Sequence, residues 1–195
     1  MDSRLNEILE EIRQLERNVA DEIRKKEEEF QYSVRKRRVV FEKEIASLHR
    51  KFAGSLVHYV LSSRLPVVLS APVIYAMIVP ALILDVCLFV YQLVCFHVYG
   101  IPRVARRDHV ILDRHYLKYL NPLEKLNCDY CSYFNGLMSY AMEIGARTEQ
   151  YWCPIKHASA TAQRHSRYHL FFDYGDAASY REKLDELQKK FGDIG

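Results

Sequence analysis

Glycine is scarce in this chain. Seven occur in 195 residues, and none precedes Gly54. That leaves little material for a phosphate cradle. No G-x-x-x-x-G-K, G-x-G-x-x-G, G-x-S-x-G or H-E-x-x-H is present, so the sequence carries no motif for nucleotide binding, an elbow nucleophile or a zinc hydrolase. No proline precedes Pro66. Charge of one sign is also lacking. The formal net charge is +3, too small to argue by itself for nucleic acid. The first thirty residues have no apolar core of the kind a signal peptide needs. Cysteine numbers five, an odd count that fits reduced thiols in a cytoplasmic compartment better than a disulfide framework.

What is present is strongly segregated. Residues 1–55 hold 12 acidic and 13 basic side chains, whereas residues 65–99 hold one charge, Asp85. Over 3–55, apolar residues including Leu5, Ile8, Ile12, Leu15, Val19 and Ile23 recur mostly at steps of three, four or seven. This pattern predicts one long coiled-coil helix of ~80 Å, with a stutter between Val19 and Ile23. Such a helix cannot bury its stripe alone, which makes it a homo-oligomer element or a seat for a protein partner. Its charges read as a solvated coiled-coil flank. The cluster Arg35, Lys36, Arg37 and Arg38 is the exception, a possible contact for anionic lipid. Nucleic acid is disfavoured, because no stacking platform lies near those basic residues.

Residues 56–100 form the membrane candidate, and the lipid bilayer is the partner it implies. From Leu65 to Tyr99 a straight helix measures ~52 Å, against a hydrocarbon core of ~30 Å. Pro66, Pro72 and Pro80 interrupt it, each removing a backbone donor. A proline-broken hairpin bending near Pro80, or a re-entrant segment, fits length and prolines together. A single tilted span is the rival. Basic residues flank both ends: Arg50, Lys51 and Arg64 before, Arg103, Arg106, Arg107 and Arg114 after. Lys and Arg mark the cytoplasmic side, which predicts a cytoplasmic (inner) membrane protein with both termini in the cytoplasm. Asp85, five residues past Pro80, is read either as lying near the bend within reach of water or as an ion, proton or partner contact.

Residues 101–195 are predicted to form a cytoplasmic helical domain at the membrane surface. Helices are expected over 135–150, over 154–165 after Pro154, and from an Asp176 cap through Leu187 to a stop at Gly192. The stretch 166–176 reads as a strand or extended connector.

Four residues of this domain have metal-ligand spacing. Cys128 and Cys131 form a C-x-x-C, and Cys153 and His157 form a C-P-x-x-H after 21 intervening residues. In a C-x-x-C turn both sulfurs can face one ion. If Pro154 opened a helix, Cys153 and His157 would share its face. The pattern loosely resembles the ligand set of a zinc finger or treble-clef site. A closed Cys3His set is the usual company of structural zinc, and iron or an iron–sulfur cluster on the same ligands is the alternative. Asp129, Glu143, Glu149, His165 and His169 are the other donors at hand.

The sequence therefore predicts an all-α, membrane-associated protein: coiled coil, membrane hairpin and a small metal-stapled domain. Its expected role is structural or in assembly. The alternative is a membrane-bound redox protein carrying iron. No catalytic residue is assigned. A metal-dependent enzyme would need an open coordination position, to which His165 and His169 would contribute.

Overall fold

The computed structural model describes residues 2–30, 32–35, 38–41 and 43–192. The chain is mostly helical, with one two-stranded hairpin. It forms two compact units, residues 1–62 with 113–128 and residues 63–112 with 129–195.

In the first unit, α1 runs from Asp2 to Glu29. Its charges pair one turn apart, as in Arg13–Glu10, Arg24–Asp21 and Lys25–Glu22. Such exposed pairs are screened by solvent and contribute little. Ile12, Leu15, Val19 and Ile23 are all exposed, leaving the predicted stripe without a cover.

The single helix expected over 3–55 is not what forms. After Phe30 the chain makes an antiparallel hairpin, β1 (Tyr32–Arg35) with β2 (Arg38–Phe41), pairing Tyr32 with Phe41 and Val34 with Val39. The helix resumes only as α2 (Lys43–Lys51), followed by α3 (Leu56–Ser62). The physical reason lies in the side chains. Val34, Val39 and Val40 are β-branched and lose rotamer freedom in a helix. Tyr32 and Phe41 meet across the strands with their rings tilted and their centres 5.9 Å apart, which is the kind of pair that stabilises a hairpin. The heptad count passed through this stretch because Phe30, Val34 and Phe41 also fit a seam. Of the basic cluster, Lys36 and Arg37 lie outside the described residues. Phe41 continues onto His49, and His49 onto Tyr119, edge to face.

The second unit is built on the apolar segment. Leu65–Tyr99 is one helix of 35 residues, long and apolar enough to cross a membrane. It comprises α4 (Leu65–Ala76), α5 (Ile78–Tyr91), a π-helical turn (Gln92–Phe96) and α6 (His97–Tyr99). The predicted hairpin bend does not occur. Pro66 stands at the helix start, where its missing N–H is no loss. Pro80 falls in the first turn of α5, and the helix carries on past it through the Met77 carbonyl, which accepts from Ala81 N–H at 3.3 Å. The helix ends at Gly100 in the left-handed conformation, with Ile101 N–H returning to the Phe96 carbonyl at 2.9 Å. This is the glycine-terminated cap that lets a chain leave a helix sharply.

The chain then folds back along the helix through α7 (Arg106–His109). The next long element is α8, Pro122–Trp152, whose residues from 129 onward belong to the second unit. It starts 13 residues before the predicted 135–150 helix. Asn121 caps it, its side-chain oxygen accepting from Leu123 and Glu124 N–H, while Glu124 reaches back to Asn121 N–H. This reciprocal capping box, with Pro122 at the first helical position, is written in the sequence as N-P-L-E. The helix predicted over 154–165 is absent. Instead Pro154 and Lys156 exchange backbone hydrogen bonds with Phe172, which holds this stretch extended. The last helix, α9 (Ala177–Leu187), is capped by Asp176 as the sequence implies, but it ends before Gly192.

Candidate functional site, a polar seam on the apolar helix

Within the second unit, α8 runs beside the apolar helix in the same direction. Tyr130 Oη donates to the Ile74 carbonyl at 2.7 Å at one end, and Tyr99 stacks on Tyr151 at 5.1 Å at the other. Parallel neighbours need a return connection, and residues 100–112 begin it. The close approach depends on Gly136. A Cβ there would meet the His109 carbonyl oxygen at 2.7 Å and Val110 Cα at 2.8 Å.

The face of the apolar helix turned to this layer holds Asp85 and Gln92. Asp85 accepts from Arg106 Nη2 at 2.7 Å and from Tyr133 Oη at 3.0 Å. Burial and the hydrogen bond to Asp85 both push the Tyr133 hydroxyl above its ordinary pKa. Two turns further, buried Gln92 accepts from Val104 N–H at 2.7 Å and donates to Tyr140 Oη. Tyr91 meets Thr148 at 3.0 Å. Asp85, Gln92, Tyr133 and Tyr140 thus all have partners within the seam, as low-dielectric surroundings demand. Phe96, Ile101, Leu137 and Ile144 fill the space between with apolar contacts.

A second polar cluster ties the C-terminal segment to α8. Arg167 is only 2% exposed and reaches Glu143 at 3.1 Å and Gln150 at 3.0 Å. Glu143 also accepts from Arg147 and Ser166. Burial would raise its pKa, but the hydrogen bonds from Arg147, Ser166 and Arg167 outweigh it and hold the carboxyl below its ordinary range. Gln150, fully buried, donates to the carbonyls of Leu187 and Lys190. Charges buried with this degree of satisfaction act as a clasp.

The four residues predicted to hold a metal are not brought together. Cys128 and Cys131 lie one turn apart inside α8, and Cys153 follows its last residue. A straight helix separates Cys131 from Cys153 by ~33 Å. Cys153 and His157 lose their common face because no helix starts at Pro154. His157 N–H is taken by Tyr168 Oη at 2.8 Å. The other donors are engaged locally: His165 Nε2 with Glu149 at 3.1 Å, His169 Nδ1 with the Ser166 carbonyl at 2.9 Å. Among the described residues, no group of three or more His, Cys, Asp or Glu side chains is placed to hold an ion.

Sequence reasoning singled out Asp85 but missed Arg106, Tyr133, Gln92 and Tyr140. One signal was available. A lone carboxylate in a 35-residue apolar run requires a cation, and the basic residues after Gly100 are within reach of a chain that folds back.

Comparison with protein-family models, with curated proteins and with solved structures finds no match to this chain.

Proposed function

We propose that this protein is a membrane-attached assembly protein. The apolar helix is its attachment element, and α1 is its self-association element. One observation carries the reading: the most apolar stretch of Leu65–Tyr99 is only 6% buried by the rest of the protein. The side chains it leaves open need a lipid or protein cover. Support for the second element is the open stripe on α1. Leu15, Val19, Ile23 and Tyr32 line a shallow apolar groove edged by Glu22 and Lys26. A second α1 of the same sequence brings both an apolar ridge and complementary charges to that groove. The basic residues that flank the apolar helix favour the cytoplasmic face of the inner membrane. Cys128, Cys131, Cys153 and His157 enter this reading as ordinary side chains.

The test is cell fractionation followed by alkaline carbonate extraction, then sedimentation of the detergent-purified chain. The expected result is retention in the membrane pellet and an oligomer that dissociates in a Leu15→Glu, Val19→Glu double variant. Recovery of the chain in the soluble fraction would overturn attachment. An unchanged sedimentation coefficient in the variant would overturn assembly through α1.

A further inference from the structure

We infer that the apolar helix lies along the surface of one bilayer leaflet, with one face in the lipid, and does not cross the membrane. The inference rests on the membrane attachment proposed above and specifies its geometry.

From Ala81 onward the helix has two different sides, whereas Leu65–Ala76 has no buried residue. One side, through Ala81, Asp85, Gln92 and Phe96, is covered by the return segment and α8. The opposite side is open along its whole length. Leu69, Val73, Val79, Ile83, Val90 and Val98 lie on it at helical spacing, each exposed by between 49% and 71%. The open side extends ~50 Å, while the hydrocarbon core is ~30 Å thick.

A transverse placement fails wherever the ~20-residue window is set. If residues 65–84 crossed, Tyr130 would be level with the middle of the bilayer through its bond to the Ile74 carbonyl. Asp129, its chain neighbour, would come with it. If residues 78–97 crossed, Asp85 and Arg106 would enter the hydrocarbon, together with the exposed Arg107. Charged side chains at that depth resist insertion, and α8 would drag the Glu143–Arg147 pair in beside them.

Lying in the leaflet removes the conflict. The open face enters the acyl boundary, as an interfacial helix does. The polar seam stays at headgroup level. Arg103, Arg106 and Arg107 on the return segment then meet the headgroups, opposed by Asp108 and by Asp85, which pairs with Arg106; the positive charge that remains favours an anionic lipid surface. This charge complementarity selects lipid over a second copy of the same apolar face.

The experiment uses the full chain with Trp152→Phe and a single tryptophan introduced at Leu69, Val79, Val90 or Val98. Each variant is mixed with vesicles of phosphatidylcholine and phosphatidylglycerol, with bromines placed either near the headgroup or near the chain end. Flotation reports attachment separately. The expected result is that all four positions are quenched by shallow bromines at least twofold more than by deep ones, with similar profiles. A transverse helix would give deep quenching at Val79 and shallow quenching towards the ends, and would overturn the inference. So would flotation without lipid quenching at any position, since that places protein against the open face. Failure to float would refute the attachment itself, and the inference with it.

Discussion

Arg106 closes on Asp85 through two nitrogens, Nε at 3.0 and 3.1 Å from the carboxylate oxygens and Nη2 at 2.7 Å, across 21 residues of chain. The pair fixes the register between the apolar helix and the segment that folds back along it. It is asymmetric in exposure: the Asp85 side chain is 15% exposed and that of Arg106 45%. Solvent therefore screens part of the attraction.

That screening sets the magnitude of the first prediction. A double-mutant cycle with Asp85→Asn and Arg106→Gln, read by denaturant unfolding in detergent, should give a coupling of about 1 kcal/mol. Additive single effects would show that the pair does not fix the register.

The Glu143 clasp should matter more, because Arg167 is buried. Glu143→Gln should destabilise the chain by about 3 kcal/mol, since it leaves a buried guanidinium without its counter-charge. The pH dependence follows from the lowered Glu143 pKa. A carboxyl whose folded pKa lies below its unfolded value, about 4.3, contributes stability that is complete above the unfolded pKa. That contribution is lost as pH falls through the folded pKa. Thermal melts between pH 7 and pH 3 should show an acid-labile increment in the wild type that Glu143→Gln lacks.

Two glycines on α8 should respond with opposite signs. At Gly136 an added Cβ meets backbone of residues 109 and 110, so Gly136→Ala should cost about 1–3 kcal/mol by overpacking. At Gly145 nothing lies within 4 Å of the added atom, so Gly145→Ala should stabilise by about 0.5–1 kcal/mol through helix propensity. The melting temperatures of the two variants decide it. Stabilisation at both positions would refute the close packing of α8 on the return segment at Gly136.

The four cysteine and histidine positions make a separate prediction. Elemental analysis of protein purified without added metal should show the same zinc and iron content in wild type and in a Cys128→Ser, Cys153→Ser variant. Stoichiometric metal lost in the variant would mean that α8 is broken between Cys131 and Cys153, because an unbroken helix holds those sulfurs ~33 Å apart.

Patterns confined to one element were legible in the sequence. Asp176 and the stripe after it mark α9, and the apolar run marks a membrane candidate, although its prolines point to a hairpin where one helix forms. The capping signal at 121–124 is equally local, and the helix it opens excludes a metal-binding turn at Cys128. The valine-rich stretch 32–41 failed for a different reason: its apolar residues satisfy a helical seam and a hairpin alike, and only the cross-strand contact of Tyr32 with Phe41 separates the two.

Composition and periodicity by themselves determined that this chain is mostly helical and that residues 65–99 form an apolar run with the single charge Asp85. Those properties depend on neighbours within a few turns, where spacing is fixed by the backbone. The tertiary structure alone decided that Asp85 is answered by Arg106, that Gln92 holds Val104, and that an unbroken helix keeps Cys131 apart from Cys153. Such facts depend on where the chain turns back. A single left-handed residue, Gly100, and a close approach at Gly136 set that, and neither leaves a periodic mark in the sequence.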